Sequence, residues 1–488
     1  MTAAERRPQL KRVLGLGGLI VFGITFVTPT APFPMFGILS SVSKGHMALA
    51  YLFAMAVMTL TAVSYGRMAS AFPAAGSAYT YVRMTVHPFA GFLVGWTMLL
   101  DYLLIPLMSV IYMALMGHRF LPEVHYGFWL LFFSTGMTAI NLFGLKVTNR
   151  ANFVMTVIMS ASVVWFVVAA ARALHSGLGE GAWLSLKPFY NPSSFTFGSA
   201  MAATSIAVFS FLGFDGVSTL AEDSHDPRRD IGRATVLVCL LCGALFILQA
   251  YLGQLSWPDY NSYPKVETAF LDVSRLVGGD RLFGMVTFVL LVAGIASAVT
   301  GQASASRLLF GMGRDCLLPS SIFAYIHPKY STPTYNILFM GALTMAGGFF
   351  LSFQLAAEAI NFGALMGFMG VNLSVVSHYF LKGNQRRGAA MLYNLFLPMA
   401  GFLVCLYVFV SLSMTARIIG AVWCAVGLVH ASVLTGGFRR SIGLLSREED
   451  FSELSAGRSG PEPVAQTWRR RHPPRPLRLC GWSARIFV

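Results

Sequence analysis

Long apolar stretches separated by short polar segments recur along the whole chain. A helix that crosses the hydrocarbon of a bilayer needs roughly 20 mostly apolar residues, and twelve stretches meet this requirement. They lie near 14–39, 47–65, 80–113, 127–145, 151–174, 199–221, 233–256, 281–308, 334–352, 357–380, 390–411 and 415–436. Backbone polar groups in lipid must be satisfied within the segment, so the pattern predicts transmembrane helices and not barrel strands.

Composition supports the same class. Hydrophobic residues make up 56% of the 488 and charged residues 11%, and the mean hydropathy is +0.65. So few charges cannot cover a globular surface of this size, and an all-α integral membrane protein is expected. The net charge of +15 is spread over short loops and a tail. Membrane orientation explains that distribution better than a nucleic-acid partner does, and none is expected.

The distribution of lysine and arginine predicts the orientation. With the N-terminus placed in the cytoplasm, the inner loops hold 17 of these residues and the outer loops 8. The positive-inside rule then places both termini in the cytoplasm of a multi-pass protein of the inner or plasma membrane. The first apolar stretch is too long for a cleavable signal peptide and is expected to remain as the first helix.

The helices divide into two halves of five. Five is odd, so the second half enters the bilayer upside down, as an inverted repeat requires. The expected organisation is a cytoplasmic N-terminus at 1–13, a twelve-helix membrane domain at 14–436 and a disordered basic cytoplasmic tail at 437–488. Within the membrane domain, repeat one covers 14–174, repeat two covers 199–380, and helices eleven and twelve cover 390–436.

Helix breakers occur at corresponding depths in the first helix of each half. The first carries Pro29, Pro32 and Pro34, and the sixth carries Gly213 and Gly216. Proline removes a backbone donor and glycine relaxes the helix, so both segments are expected to unwind and expose amides and carbonyls. A packing kink is the simpler interpretation of either one. Matched breaks favour a substrate site at the membrane midplane.

Four separated segments carry a family pattern. The first is the hairpin 66–96, with Phe72, Pro73, Ala75, Gly76, Tyr79, Tyr81 and Val82 in a Phe-Pro-x-Ala-Gly-x-x-Tyr-x-Tyr-Val arrangement. The others are Gly213–Gly216 with 221–223 and 227–231, then 304–307 with 313–315 and 318–319, and then 327–328 with 332–333. Over about 14–436 the chain resembles the amino acid, polyamine and organocation (APC) transporter superfamily.

This resemblance implies a secondary transporter with a LeuT-type five-plus-five inverted repeat and two extra C-terminal helices. Amino acid carriers of the superfamily have small residues in helix one, whereas this chain reads Phe26-Val27-Thr28-Pro29-Thr30-Ala31-Pro32. Prolines have no backbone N–H group, so this segment offers a substrate carboxylate fewer hydrogen-bond donors. The segment 100–103 with Pro106 resembles bacterial putrescine importers. Putrescine or a related polyamine is therefore the first expected substrate, and an amino acid is the second.

Two acidic residues, Asp101 and Asp215, lie well inside predicted spans. Carboxylates at this depth are costly and are normally site residues or tightly paired. The expected substrate-binding residues are Thr28, Pro29, Thr30, Ala31, Asp101, Tyr102, Phe209, Ser210, Gly213, Phe214, Asp215 and Gly216. Asp215 and Asp101 are the expected proton carriers. A sodium-coupled alternative uses Ser297 and Thr300 with helix-one carbonyls.

Other kinds of function find less support. No nucleophile and base, nucleotide loop or metal-ligand spacing is visible, so no enzymatic activity, cofactor or metal is expected. The Cys239-x-x-Cys242 pair lies mid-helix and is read as packing. A membrane nutrient sensor that binds ligand without transporting it remains the alternative from another class. The expected partners are the substrate, the coupling ion and the lipid bilayer, and the sequence leaves the oligomeric state open.

Overall fold

The computed structural model describes seven stretches of the chain. These are residues 15–72, 77–143, 149–181, 184–220, 224–314, 318–328 and 332–435. The sequence-predicted Pro73, Ala75, Gly76, Glu222 and Asp223, the predicted N-terminus 1–13 and the whole predicted tail 437–488 lie outside these ranges.

Helices make up the regular structure of the described residues. The α-helices are α1 (Leu16–Val27), α2 (Pro32–Val42), α3 (Met47–Ala71), α4 (Ser77–Thr85), α5 (Pro88–Phe120), α6 (Tyr126–Leu142), α7 (Asn149–His175), α8 (Phe197–Ala207), α9 (Pro227–Ser256), α10 (Ala269–Arg314), α11 (Ser320–Phe323), α12 (Thr334–Phe350), α13 (Phe353–Val375), α14 (Ala389–Met391), α15 (Leu397–Val410) and α16 (Met414–Thr435). Short 3-10 helices span Val208–Phe211, Phe214–Leu220 and Val266–Thr268, and π-helices span Val376–Lys382 and Leu392–Phe396.

The number of spans agrees with a multi-pass membrane protein. Within the described stretches, nine helices are long and apolar enough to cross a bilayer, and the bent pair of α1 and α2 makes a tenth. Two further helices, α6 and α12, have 17 residues each. The prediction of an all-helical integral membrane protein is therefore confirmed.

One predicted helix was wrong, and another was placed correctly at its beginning. The stretch 80–113 is not one helix, because His87 adopts an extended conformation (φ −160°, ψ 141°) between α4 and α5. Pro88 explains this break, since proline disfavours the helical conformation of the residue before it. The predicted helix 281–308 begins where expected, because Ala269–Arg314 is kinked at the non-helical Gly279 (φ 67°), and it continues beyond 308 to Arg314.

Helices α3 and α9 form a close crossing that depends on glycine. A methyl group on Gly66 would lie 2.6 Å from the Cα atom of Gly232, and one on Gly243 would lie 2.4 Å from Cγ of Met55. Small residues allow two membrane helices to approach this closely, and the gain is van der Waals contact between backbones. The crossing fixes α9 beside α3 over most of its length.

Helix α13 lies at the centre of the bundle. In its most apolar 18-residue stretch 89% of the residues are buried, compared with 22% for α16. Glu358 of α13 attaches α16 to this centre, because one carboxylate oxygen accepts from the backbone N–H of Ser413 (3.0 Å) and the other from Nε2 of Gln354 (2.9 Å). This buried carboxylate therefore has a structural role.

The two ends of the bundle can be named by their turns. The Lys44 end carries the turn between α2 and α3, where Nε2 of His46 accepts from the backbone N–H of Asn191 at 3.0 Å. The Lys382 end carries the turn after α13, where Lys382 donates to the carbonyl oxygen of Thr85 at 2.7 Å. These contacts tie the connecting segments to the helices at both ends.

Candidate functional site

The first helix is broken where the prolines predict. Helix α1 ends at Val27, Thr28 adopts φ 64°, and α2 starts at Pro32 with its axis turned by 58°. The residue before Pro29 is pushed out of the helical region, and Pro32 at the first helical position needs no hydrogen-bond acceptor. The prediction that this segment unwinds is confirmed.

A glutamine supports the first break from a neighbouring helix. Nε2 of Gln249, in α9, donates to the carbonyl oxygen of Pro29 at 3.1 Å. Unwinding leaves that carbonyl without a partner inside its own helix, and the glutamine supplies one. Gln249 is buried, and its Oε1 atom has no donor among the described residues.

The sixth span breaks in the same manner. Helix α8 ends at Ala207, a 3-10 turn follows, and Leu212 is extended (ψ 136°) before Gly213 at φ 108°. Only glycine adopts this conformation without strain. A methyl group at Gly213 would also lie 2.5 Å from Cδ1 of Phe26, which precedes the first break. The two broken segments therefore lie against each other.

Asn361 stabilises the chain just before the second break. This α13 residue is fully buried, and its Nδ2 atom donates to the carbonyl oxygens of Ser205 (2.7 Å) and Ile206 (3.5 Å). Its Oδ1 atom has no donor in the part of the chain that the structure describes. Sequence analysis missed both Gln249 and Asn361. The available signal was an uncharged amide inside an otherwise apolar span.

Asp215 lies directly after the second break. Backbone amides of Gly213, Asp215 and Gly216 hydrogen-bond its carboxylate. The hydroxyl of Ser218 donates to its carbonyl oxygen at 2.6 Å. Such a ring of amides stabilises the negative charge of this carboxylate.

Asp101 lies across from this break on α5. Its Oδ1 atom is buried and has no hydrogen-bond partner among the described residues. Gly363 of α13 covers it, since a methyl group there would be 2.8 Å from Oδ1. The charge of Asp215 acts on Asp101, so the two carboxylates are within electrostatic range of each other. Two carboxylates within this range repel unless a proton or a cation lies between them.

The aromatic and hydroxyl residues of the predicted site differ in their surroundings. Tyr102 is 45% exposed, and the charges of both carboxylates act on its hydroxyl. Phe209 is half-buried. Phe214 is fully buried against Tyr65 and Phe368, at ring-centroid distances of 5.7 and 5.2 Å.

Ser210 is engaged with α3. Its hydroxyl shares a hydrogen bond with the hydroxyl of Tyr51 at 2.9 Å. Both residues are buried. This contact holds the 3-10 turn before the second break against α3.

The two hydroxyls predicted for sodium lie elsewhere. Ser297 of α10 accepts a hydrogen bond from the hydroxyl of Ser109 of α5 at 3.0 Å, and both Ser297 and Thr300 are exposed. Within the described ranges neither hydroxyl bonds to the Thr28–Ala31 break, and no three His, Cys, Asp or Glu side chains form a metal-binding group.

Charged contacts close the bundle differently at its two ends. At the Lys44 end, Arg119 of α5 forms an ion pair with Asp272 of α10. At the Lys382 end, Arg67 of α3 hydrogen-bonds Asn394 and lies 4.3 Å above the ring of Tyr379. The ion pair joins α5, which carries Asp101, to α10, and so it opposes their separation at that end.

Comparison with known proteins agrees with this architecture. The model of the amino acid permease family matches residues 18–433. The low-affinity putrescine importer PlaP of Escherichia coli (strain K12) is 33% identical over 446 residues, which cover 91% of this chain and 98% of that protein.

Two transporters of Bacillus subtilis (strain 168) are also similar. The branched-chain amino acid permease BcaP is 24% identical over 461 residues, covering 88% of this chain and 94% of its own. The methylthioribose transporter is 25% identical over 456 residues, with the same coverage. These relatives are permeases and not enzymes. The chain therefore belongs to the amino acid permease family of the APC superfamily, as a multi-pass membrane permease.

Proposed function

We propose that the protein imports putrescine or a related polyamine across the cell membrane by alternating access, driven by the proton gradient. The similarity to a putrescine importer over 91% of the chain supports this substrate class. The observation that carries the proposal is the buried, unpartnered Oδ1 atom of Asp101 within electrostatic range of Asp215.

The chemistry of the surrounding polar atoms favours a cation. An ammonium group is a donor with no acceptor capacity, so it needs oxygen atoms that lack donors. Besides Asp101, the Oε1 atom of Gln249 and the Oδ1 atom of Asn361 are buried without a donor in the described part of the chain. A substrate carboxylate instead needs hydrogen-bond donors, and Pro29 has no backbone N–H group to offer it.

The predicted binding residues take two roles in this proposal. The backbone of Thr28, Pro29, Thr30 and Ala31 and of Gly213 and Gly216, with Asp101, Asp215, Tyr102 and Phe209, contacts the substrate. Ser210 and Phe214 instead hold the second broken segment through their contacts with Tyr51 and Tyr65. Tyr102 and Phe209 supply aromatic faces for the ammonium or alkylene parts of the substrate.

The proposed architecture is the twelve-helix arrangement with an inverted five-plus-five repeat. The ten spans by length and composition, with the 17-residue helices α6 and α12, give twelve. Breaks in the first span of each proposed half support the repeat. In this arrangement the domain extends over 14–436 and lies in the plasma membrane. Both termini are cytoplasmic, and the Lys382 end faces the cytoplasm.

Protons are the proposed coupling ion. Asp215 follows the second break and Asp101 of α5 is within its electrostatic range, so a proton or a substrate ammonium relieves their mutual repulsion. When one carboxylate takes up a proton and the other binds the ammonium, proton and substrate enter together, and this gives symport. Sodium, with Ser297 and Thr300 as ligands, is the alternative. The Ser297 hydroxyl accepts one hydrogen bond from Ser109 and keeps a second lone pair for such an ion.

An amino acid is the second candidate substrate. The similarity to a branched-chain amino acid permease supports it. So does the unwound backbone at the two breaks, because amides outside regular helix can bind a carboxylate. The two candidates differ in what they need from Asp215, since only a cationic substrate depends on its charge.

Transport by purified protein in liposomes tests the proposal. Labelled putrescine is expected to accumulate when the inside is alkaline, and labelled leucine is expected to enter no faster than into empty liposomes. Accumulation of leucine without putrescine would replace the polyamine with an amino acid. Binding of putrescine without accumulation of either compound would instead identify a sensor.

A further inference from the structure

A broad groove opens at the Lys382 end between α3, α9 and the segment that follows α13. It encloses about 940 Å³. Four arginines line it: Arg67 from α3, and Arg228, Arg229 and Arg233 from the first two turns of α9. The groove lies outside the two helix breaks and has no part in the substrate site described above.

The positive charge of this groove lacks a counter-charge in the described part of the chain. Arg228, Arg229 and Arg233 are exposed and form no ion pair there, and neither do Asp226 and Asp230 of the same turn. Arg67 bonds Asn394, but its Nε atom is buried without a partner. Like charges four residues apart on a helix, such as Arg229 and Arg233, destabilise it. The groove therefore favours an anion.

The apolar part of the groove indicates what kind of anion binds there. Val236 and Leu237 continue the arginine stripe on α9, and Leu240 and Leu241 beyond them are 40% and 50% exposed. At 1.5 Å per residue, the surface changes from guanidinium groups to leucine within roughly 10 Å. The headgroup and acyl chain of a lipid change character over a similar distance at the edge of the hydrocarbon.

We propose that this groove binds an anionic phospholipid of the leaflet at the Lys382 end. The headgroup phosphate lies among Arg229, Arg233 and Arg67, and one acyl chain follows Val236 and Leu240 along α9. Free phosphate lacks the apolar contact, and a zwitterionic headgroup brings a positive charge towards the arginines. The bound lipid links α3 to α9 where their backbones cross at Gly66 and Gly232.

The proposal depends on the proposed orientation only for naming this leaflet cytoplasmic. Lipid retention by the purified protein tests the lipid site independently of orientation and of transport. Both leaflets of the bilayer have the same lipid composition, and no transport is measured. The full-length protein is purified from bilayers of equal phosphatidylglycerol and phosphatidylcholine, and the lipids that remain bound are counted by native mass spectrometry.

We expect the parent protein to retain more phosphatidylglycerol than phosphatidylcholine. In the Arg229→Gln/Arg233→Gln double variant, the ratio of the two retained lipids should fall by roughly tenfold. The Arg386→Gln/Arg387→Gln variant is the matched control. It removes two exposed arginines at the same end but outside the groove, and it is expected to keep the preference. Size-exclusion profiles check that both variants fold.

Four results would overturn the proposal. Equal retention of the two lipids by the parent would show no selective site, and equal losses in both double variants would show a general effect of surface charge. Displacement of phosphatidylglycerol by millimolar inorganic phosphate would show that the site takes the anion alone. If a Glu222→Gln/Asp223→Asn variant gains a lipid preference that the parent lacks, those carboxylates are the occupants of the groove.

Discussion

Trp96 and Trp423 exchange hydrogen bonds across 327 positions of the chain. The indole N–H of Trp96 donates to the carbonyl oxygen of Trp423 at 2.9 Å, and the indole N–H of Trp423 donates to the carbonyl oxygen of Trp96 at 2.8 Å. The rings stack at a centroid distance of 5.1 Å. This reciprocal pair attaches α16, the least buried span, to α5, which carries Asp101.

Trp423→Phe is expected to destabilise the protein without changing the substrate site. The substitution removes one of the two reciprocal hydrogen bonds, and the loss of one such bond costs about 0.5–1.5 kcal/mol. The melting temperature in detergent should fall by roughly 1 °C. Trp165→Phe is the control, because Trp165 is 41% exposed on α7. Equal melting temperatures for the two variants would contradict the role of the pair.

Gly363→Ala is expected to disturb the site through the spacing of α5 and α13. The added methyl group would lie 2.4 Å from the carbonyl oxygen of Thr97 and 2.8 Å from Oδ1 of Asp101, so the helices must move apart. Displacement of a binding group by about 1 Å commonly lowers the rate tenfold or more. Putrescine uptake should fall accordingly in liposomes containing equal amounts of protein.

Gly136→Ala is the control for this substitution, since a methyl group on Gly136 of α6 meets no atom within 4 Å. Uptake by this variant should match the parent. If Gly363→Ala folds and transports as well as Gly136→Ala, contact between α13 and Asp101 has no part in transport.

How far the sequence predicts this structure depends on the range of the interaction. The unwinding at Thr28 and at Gly213 follows from proline and glycine alone, because their effect on the backbone is local. The pairing of Trp96 with Trp423 and the contact of Gln249 with Pro29 join distant segments. Such contacts leave no periodic signal, and a buried amide indicates only that some partner exists.

The proton gradient is expected to drive uptake. Two carboxylates at the breaks can carry protons, and the fifth predicted span, 151–174, holds no lysine that could replace a bound cation. A protonophore should abolish accumulation of putrescine in liposomes, and removal of sodium should leave it unchanged. Ser297→Ala should transport normally. Loss of uptake without sodium, together with an inactive Ser297→Ala variant, would transfer coupling to that hydroxyl.

Opposite sides of the membrane are expected for Lys44 and Lys382. Both side chains are exposed, in turns at the two ends of the bundle. A membrane-impermeant maleimide added to intact cells should label Lys44→Cys but not Lys382→Cys, and permeabilised cells should show both. Labelling of both variants in intact cells would rule out the proposed orientation and the inverted repeat with it.

Asp215→Asn is expected to abolish transport of putrescine while the protein still inserts and folds. Asparagine keeps the size and most of the hydrogen-bonding capacity of aspartate but removes the charge. An ammonium partly stripped of water depends on that charge, and losing one partner of a buried pair costs roughly 3–5 kcal/mol. Affinity should fall by about two to four orders of magnitude, at roughly 1.4 kcal/mol per decade.

Binding of labelled putrescine to purified protein measures this loss, and Glu123→Gln is the control. Glu123 is exposed in the turn after α5, so its substitution removes one negative charge without touching the helix breaks. A neutral amino acid should bind the Asp215→Asn variant almost as well as the parent, because its contacts run through the unwound backbone. If putrescine affinity stays within a few-fold of the parent, the polyamine proposal loses its central residue and the amino acid becomes the better substrate.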